Sequence, residues 1–206
     1  MRLYLYSLPR GRGGDDKPRI VFVEDRKVTF SDFSADNAVT KNSRLAKDWW
    51  VQYAGDAAEK APLVLQAAHR AISSNAPERW STKLMVESLQ HPWLECRNRE
   101  IELSILRKHG FSFRSFMEYG KEKCSESVYD QLHDRIDRFK FSLEFLIAGF
   151  DQDGVAHLYH LDSQGALSSY DDLGFWAIGS GAHAALGSLS FHIEHANLCS
   201  LCSCVH

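Results

Sequence analysis

Short apolar segments separated by polar turns dominate the stretch from residue 145 to residue 186. Apolar runs begin at 145 and 155, with turns at 152–154 and 164–165, and a third run ends at Ile178. This pattern predicts three β-strands joined by tight turns. Gly179-Ser180-Gly181 follows, and apolar residues then recur at helical spacing: Ala182, Leu186, Leu189, Ile193 and Ala196. We therefore predict three strands that lead into a helix.

The preceding part of the chain predicts a mixture of strands and helices. Residues 19–32 have the pattern of a strand hairpin with a charged turn at 24–27, and residues 49–54 that of a further strand with one tryptophan on each face. Apolar spacing predicts helices over 57–74 and 125–141, and two helical pieces within 78–108 that are interrupted at His91-Pro92. Strands and helices are segregated along the chain, which favours an α+β fold.

Composition narrows the class of protein. The 206 residues are 44% hydrophobic and 25% charged, as in an ordinary globular domain, and the net charge of −3 gives no reason to expect binding to nucleic acid or to a membrane surface. No apolar stretch is long enough to cross a bilayer. Five cysteines, three of them crowded near the C-terminus, do not suggest a disulfide framework. We expect a cytoplasmic protein.

Two stretches resemble the proteasome β-subunit family, including its bacterial relatives. The first stretch, residues 146–181, contains Leu146–Asp151 (LIAGFD), Gly154, Leu158-Tyr159, Asp162, Gly165 and Ala177–Gly181 (AIGSG). The second stretch, residues 41–55, runs without a gap from a lysine to an Ala-Gly pair that precedes a predicted long helix. The resemblance implies an α+β fold of the N-terminal-nucleophile hydrolase type, a four-layer αββα sandwich. Because the family continues beyond the Gly-Ser-Gly helix, we expect this sandwich to be incomplete at its C-terminus.

The resemblance also implies a set of site residues. Asp32 matches the aspartate at the end of the hairpin, with Asp25 as the second choice, Lys41 matches the lysine, and Ser180 matches the serine of Gly-Ser-Gly. In the family, a threonine at the mature N-terminus attacks the peptide carbonyl with its own amine as base, and the lysine and aspartate tune that site. No cofactor or metal is implied.

The nucleophile is where this chain departs from the family. Counting back along the hairpin from Asp32 places the nucleophile near Asp16 or Lys17, and Thr29 is the one Thr, Ser or Cys between Ser7 and Ser31. We expect residues 1–17 to form a flexible arm because they are rich in glycine and charge. Residues 18–206 are expected to form one domain, with an extended helical region at 76–141 that matches the family poorly.

Three alternative interpretations of single features stay open. The set His192, His195, Cys199, Cys202, Cys204 and His206 contains a CxxC spacing, which is compatible with zinc, whereas cysteines that replace alanine on a buried helix face are the simpler explanation. Lys41 and Asp32 are equally compatible with a solvated pair on a loop. Ser180 is equally compatible with a helix cap. His157 and His160 are three residues apart in a strand, so they face opposite ways and do not form a metal pair.

The function predicted from these observations is that of a proteasome-β-like subunit, related to threonine-type endopeptidases, that lacks its own nucleophile. Such a subunit takes part in a homo-oligomeric or hetero-oligomeric ring as a structural or degenerate member. One alternative is an active threonine-type peptidase whose true N-terminus differs, with unfolded polypeptide as its substrate. A second alternative is a small zinc-binding regulatory protein. Whether the chain is an enzyme stays open at this stage.

Overall fold

A computed structural model of the chain describes residues 2–6, 19–23, 28–29, 34–35, 40–55, 59–76 and 80–191. The strands are β1 (Arg2–Tyr6), β2 (Arg19–Val23), β3 (Val28–Thr29), β4 (Ser34–Ala35), β5 (Asn42–Ala46), β6 (Trp49–Gly55), β7 (Leu143–Phe150), β8 (Ala156–Leu161), β9 (Leu167–Ser169) and β10 (Phe175–Ala177). The helices are α1 (Lys60–Ser73), α2 (Thr82–Ile101), α3 (Phe113–Lys123), α4 (Glu126–Asp137) and α5 at 182–191.

A five-stranded antiparallel sheet lies at the centre of the molecule. Its strands follow the order β5-β6-β7-β8-β9, and β6 pairs with β7 along its whole length, from Trp49↔Gly149 to Gly55↔Leu143. Alternate residues of β6 face opposite sides, as the predicted strand at 49–54 requires: Trp49 is buried and Trp50 is partly exposed. The strands predicted at the start of the 145–186 stretch are thus confirmed as β7 and β8.

One face of this sheet packs against α1 and α2. Val51, Phe145 and Ile147 are fully buried against the apolar sides of the two helices. Trp93 of α2 fills the centre of this layer and donates a hydrogen bond from its indole nitrogen to the Leu143 carbonyl, at 2.8 Å. Burial of these side chains is the main stabilising contribution in this half of the fold.

A second sheet packs on the other face. Its strands follow the order β10-β1-β2, and Ile20, Phe22 and Trp176 pack onto a buried cluster that includes Leu146 and Ile178. Helices, first sheet and second sheet therefore form three successive layers, and Ala185 and Leu189 of α5 are buried. The predicted α+β class is confirmed.

The structure corrects the predicted hairpin and the predicted N-terminal arm. β2 does not pair with 28–30: it pairs with β1, in the register Arg2↔Val23 to Tyr6↔Arg19, and β3 pairs with β4 instead. Arg2–Tyr6, which falls within the predicted flexible arm, is the central strand of the second sheet. Its alternation of leucine and tyrosine is a strand pattern, and one of its two partners, β10, lies far away in sequence. The rest of the predicted arm lies outside the described residues.

The third strand predicted before Gly179 is two strands. β9 ends the first sheet, a turn at 170–174 crosses between the sheets, and β10 joins the second sheet beside β1. Tyr170 stacks on Trp176 with ring centroids 3.8 Å apart, and its backbone N–H donates to the Leu158 carbonyl at 2.8 Å. We refer to residues 170–174 as the crossover.

The predicted break at His91-Pro92 is also wrong, since α2 runs through Pro92 without interruption. Proline inside a helix costs about 3 kcal/mol. Met85, Leu89 and Trp93 are each fully buried at four-residue spacing on both sides of this position, so burial offsets that cost. After α2 the helical segment continues as a π-helical turn, Glu102–Leu106, and a 3-10 turn, Arg107–His109. The helical segment ends at Gly110.

The remaining helices form a smaller core of their own. α3 and α4 pack with the end of α2 through Phe116, Leu132 and Ile136, which are all buried. α4 corresponds to the helix predicted over 125–141, and α1 to the one predicted over 57–74. In the part of the chain that is described, no helix has the length and apolar character needed to cross a membrane.

Candidate functional site

The C-terminal end of β6 brings together the sequence-predicted residues that the structure describes. Lys41 precedes β5, and its carbonyl accepts a hydrogen bond from the Tyr53 N–H at 3.0 Å. The Tyr53 hydroxyl donates to the carbonyl of Thr40 at 2.7 Å. Two bonds from one β6 residue therefore fix the backbone of the lysine segment beside the end of that strand.

Gly55 ends β6 in a conformation that favours glycine. Its φ is +99°, and a Cβ at this position would lie 2.1 Å from the Ser142 carbonyl oxygen, which is far inside van der Waals contact. The sharp end of β6, next to Lys41, therefore depends on a residue without a side chain.

The Gly179-Ser180-Gly181 turn lies against the same end of β6. A Cβ on Gly179 would lie 3.1 Å from the Cβ of Ala54, so the Gly179 backbone lies close to the Ala54 side chain. Ser180 is exposed, and α5 begins directly after Gly181, whose carbonyl accepts from the Ala185 N–H at 3.1 Å. Gly181, rather than Ser180, is thus in the capping position, and the capping interpretation of Ser180 is not supported.

The beginning of β1 completes this arrangement. The register pairs Arg2 with Ala177, two residues before Gly179. The first residue of the first strand, the end of β6 and the Gly-Ser-Gly turn therefore lie at one end of the two sheets. Asp32 and its alternative Asp25 lie outside the described residues, so their relation to this end stays a prediction.

A second polar cluster, which the sequence did not indicate, surrounds His157 of β8. Nδ1 of its ring lies 2.8 Å from Oδ2 of Asp171, and Nε2 lies 3.2 Å from Oδ2 of Asp151. Burial alone would lower the pKa of His157, but the hydrogen bonds and charges of the two aspartates outweigh it and raise the pKa above its ordinary value of 6.5. Hydrogen bonds from the Val155 N–H and from His157 hold the pKa of Asp151 below its ordinary value.

A third group of polar side chains lies between the sheets. Gln52 is fully buried, and neither atom of its amide has a hydrogen-bond partner among the described residues. On β8, His160 accepts from the Trp176 indole N–H at 3.2 Å and lies 3.6 Å from a Glu144 oxygen. His160 faces the second sheet whereas His157 faces the helices, which confirms that they do not form a pair.

Metal ligands do not converge in the described residues, where no group of three or more His, Cys, Asp or Glu side chains is placed to hold an ion. The C-terminal histidines and cysteines, residues 192–206, lie outside the described part of the chain. The zinc interpretation of that segment therefore stays a prediction.

Comparison with known families finds a match in the C-terminal part of the chain, which carries Ser180. A family model described as "Proteasome subunit" matches residues 116–201, from α3 through β7–β10 and into the C-terminal segment. The matched residues make up less than half of the chain. The match includes all of residues 146–181, the longer of the two stretches that carry the sequence resemblance, so the predicted resemblance is confirmed there. Lys41 and Gly55 precede the matched residues.

Among solved structures, the crystal structure of eukaryotic HslV from Trypanosoma brucei is similar to this chain at 16% sequence identity. The alignment covers 88% of this chain and 72% of that chain, with a TM-score of 0.44. None of the curated proteins matches the chain.

Proposed function

We propose that this chain is a proteasome-β-like subunit that takes part in an oligomeric ring without supplying a nucleophile of its own. The observation that carries the proposal is the register of β1, which pairs Arg2 with Ala177 beside the Gly179-Ser180 turn. In the family chemistry, the first residue of this strand supplies both the attacking side chain and the amine that serves as base.

The residues of β1 do not meet that chemical requirement. The strand is Arg-Leu-Tyr-Leu-Tyr, without a threonine, serine or cysteine. A guanidinium stays protonated at physiological pH and is no nucleophile. Lys41 and Ser180 are the family framework that remains around this end of the sheets, in keeping with a chain that has kept the fold and lost the reaction.

An assembly role accounts for apolar groups on the outside of the helices. Leu63 on α1 and Met117 on α3 are each 57% exposed. Side chains of this kind are stabilised when a second subunit covers them. We propose copies of this chain or related subunits as the ring partners, in the cytoplasm. Unfolded polypeptide is the substrate class only if the chain proves to be active.

The experiment combines the assembly state with a search for hydrolysis. The purified full chain is analysed by mass photometry, by intact-mass spectrometry and with fluorogenic peptides, alongside the Lys41→Ala and Ser180→Ala variants. We expect a multimer, no adduct with a threonine-directed covalent inhibitor, and no hydrolysis that either substitution changes. A covalent adduct at the N-terminal residue, or hydrolysis that both substitutions abolish, would establish the active-peptidase alternative. A strictly monomeric protein would refute the assembly role.

A further inference from the structure

The cluster around His157 ties together parts of the chain that are distant in sequence. Asp151 lies in the turn between β7 and β8, His157 lies on β8, and Asp171 lies in the crossover between the two sheets. Asp171 uses its second oxygen to accept the Leu158 N–H at 2.6 Å. The crossover is therefore held to β8 by one carboxylate that binds both the histidine ring and the strand backbone.

The aspartate on the other side of the ring is fixed in the same way. Oδ1 of Asp151 accepts from the Val155 N–H at 2.8 Å and from the Asp153 N–H at 3.0 Å, which leaves Oδ2 for the ring. Neither carboxylate can turn away from His157 without losing bonds to the backbone. The ring thus lies between two acceptors whose positions are set by the turns that carry them.

Aromatic packing fixes the plane of the ring. Trp49 of β6 stacks on His157 with an interplanar angle of 7° and a centroid distance of 6.2 Å. The strand between them, β7, carries Gly149 at this level, where a Cβ would lie 2.3 Å from the Trp49 ring. Because Gly149 has no side chain, the indole can extend over β7 and reach the histidine.

Only the doubly protonated ring satisfies this arrangement. A neutral imidazole donates from one nitrogen and accepts at the other, so one aspartate would then face a lone pair. We propose that His157 is a protonation-controlled latch, which in its imidazolium form holds the crossover on β8 and releases it when the ring loses a proton. Since β10 follows the crossover, the latch also sets how firmly β10 and the Gly179-Ser180 turn are held.

The groups around the His157 ring determine whether the latch opens or closes as the pH rises. Among the described residues, one titratable side chain besides Asp151 and Asp171 contacts the ring: Tyr159 of β8, at 6.2 Å between ring centroids. The other charged groups nearby in sequence are exposed: Lys47, Asp48, Asp153 and Asp172. Because the folded-state pKa of His157 is raised, the latch is fully closed below pH 6.5 and opens as the pH rises through the folded-state value. Because the pKa of Asp151 is lowered in the folded protein, the stability that its ionised carboxylate contributes is fully present above pH 3.8. This stability is lost only as the pH falls through the lower, folded-state pKa.

The test uses the full chain and two readouts. Long-range proton–nitrogen NMR follows the protonation of the His157 ring from pH 5 to pH 10 (roughly the span of the histidine titration). Hydrogen exchange, corrected for the intrinsic pH dependence of exchange, follows the amides of residues 170–177 over the same range. We expect protection of these amides to fall by up to about tenfold for each pH unit between 6.5 and the folded-state pKa of His157.

Two variants and one control separate the latch from a general loss of stability. His157→Gln should remove the pH dependence of exchange, and Asp171→Asn, which keeps an acceptor for the Leu158 N–H, should move the ring titration to lower pH. The control is His133→Gln, because His133 bonds a single aspartate, Asp137, on the exposed side of α4. This change should leave the exchange of 170–177 as in the parent.

The measurements on the wild-type chain test the latch even if His157→Gln does not fold. A His157 ring that titrates at or below pH 6.5 in the folded protein would overturn the latch. So would crossover amides whose corrected protection is constant through the titration. The latch does not rest on the proposed function, since neither readout depends on assembly or hydrolysis.

Discussion

Gly55 allows the geometry at the end of β6 to be tested quantitatively. Gly55→Ala introduces two separate costs. An L-residue at φ +99° is strained by about 1–2 kcal/mol. In addition, the new Cβ would lie 2.1 Å from the Ser142 carbonyl oxygen, and relieving such a contact by moving backbone costs typically about 1–3 kcal/mol. We therefore expect the free energy of unfolding to fall by roughly 2–5 kcal/mol.

Gly154 provides a matched control for the first cost. Its φ is +77°, and no atom lies within 4 Å of the position that a Cβ would take. Gly154→Ala should therefore cost only the conformational part, about 1–2 kcal/mol. Both variants are compared with the parent by urea denaturation followed by circular dichroism. If Gly55→Ala is no less stable than Gly154→Ala, the close approach of β6 to Ser142 is not present in solution, and our account of this end of the sheet is wrong.

Two further predictions concern buried polar groups. Trp93→Phe removes the donor to the Leu143 carbonyl and leaves that buried oxygen without its partner, so we expect a loss of about 2–4 kcal/mol in urea denaturation. Gln52→Leu replaces a fully buried amide that lacks partners among the described residues, and it should raise the free energy of unfolding by about 1 kcal/mol. A decrease for Gln52→Leu in the same assay would mean that the amide is hydrogen-bonded in solution.

Local patterns in the sequence were sufficient to predict two kinds of element: strands whose partners are close in sequence, and helices whose apolar spacing repeats over many residues. The apolar spacing of 57–74 led to α1, and the alternation in 145–162 led to β7 and β8. β1 was not predicted because five residues carry little periodic signal and because one of its partners, β10, lies far away in sequence. Because β1 was not predicted, counting back from Asp32 put the nucleophile position near Asp16 or Lys17, whereas the proposed function assigns it to the beginning of β1, which pairs with β2 and β10.

The candidate sites also divide into those that the sequence indicates and those that only the structure reveals. The segments of Lys41 and Ser180 were predicted as site segments because the family pattern marks them, and in the structure both lie at the end of β6. The His157 cluster carries no sequence signal, since its two aspartates lie six residues before the histidine and fourteen residues after it. Only the pairing of β8 with its neighbours and the path of the crossover bring the three side chains together. Long-range pairing of this kind cannot be obtained from periodicity.

The pairing of β1 with β10 has a consequence for how the chain folds as it is made. Arg2 is synthesised 175 positions before its partner Ala177. At about 5–20 residues per second, the wait is roughly 9–35 s. During that time the apolar strand β1 can pair only with β2, and a two-stranded ribbon is marginal by itself. The second sheet therefore closes late, by a contact of very long sequence separation, and this is the step at which we expect the nascent protein to depend most on protection from aggregation.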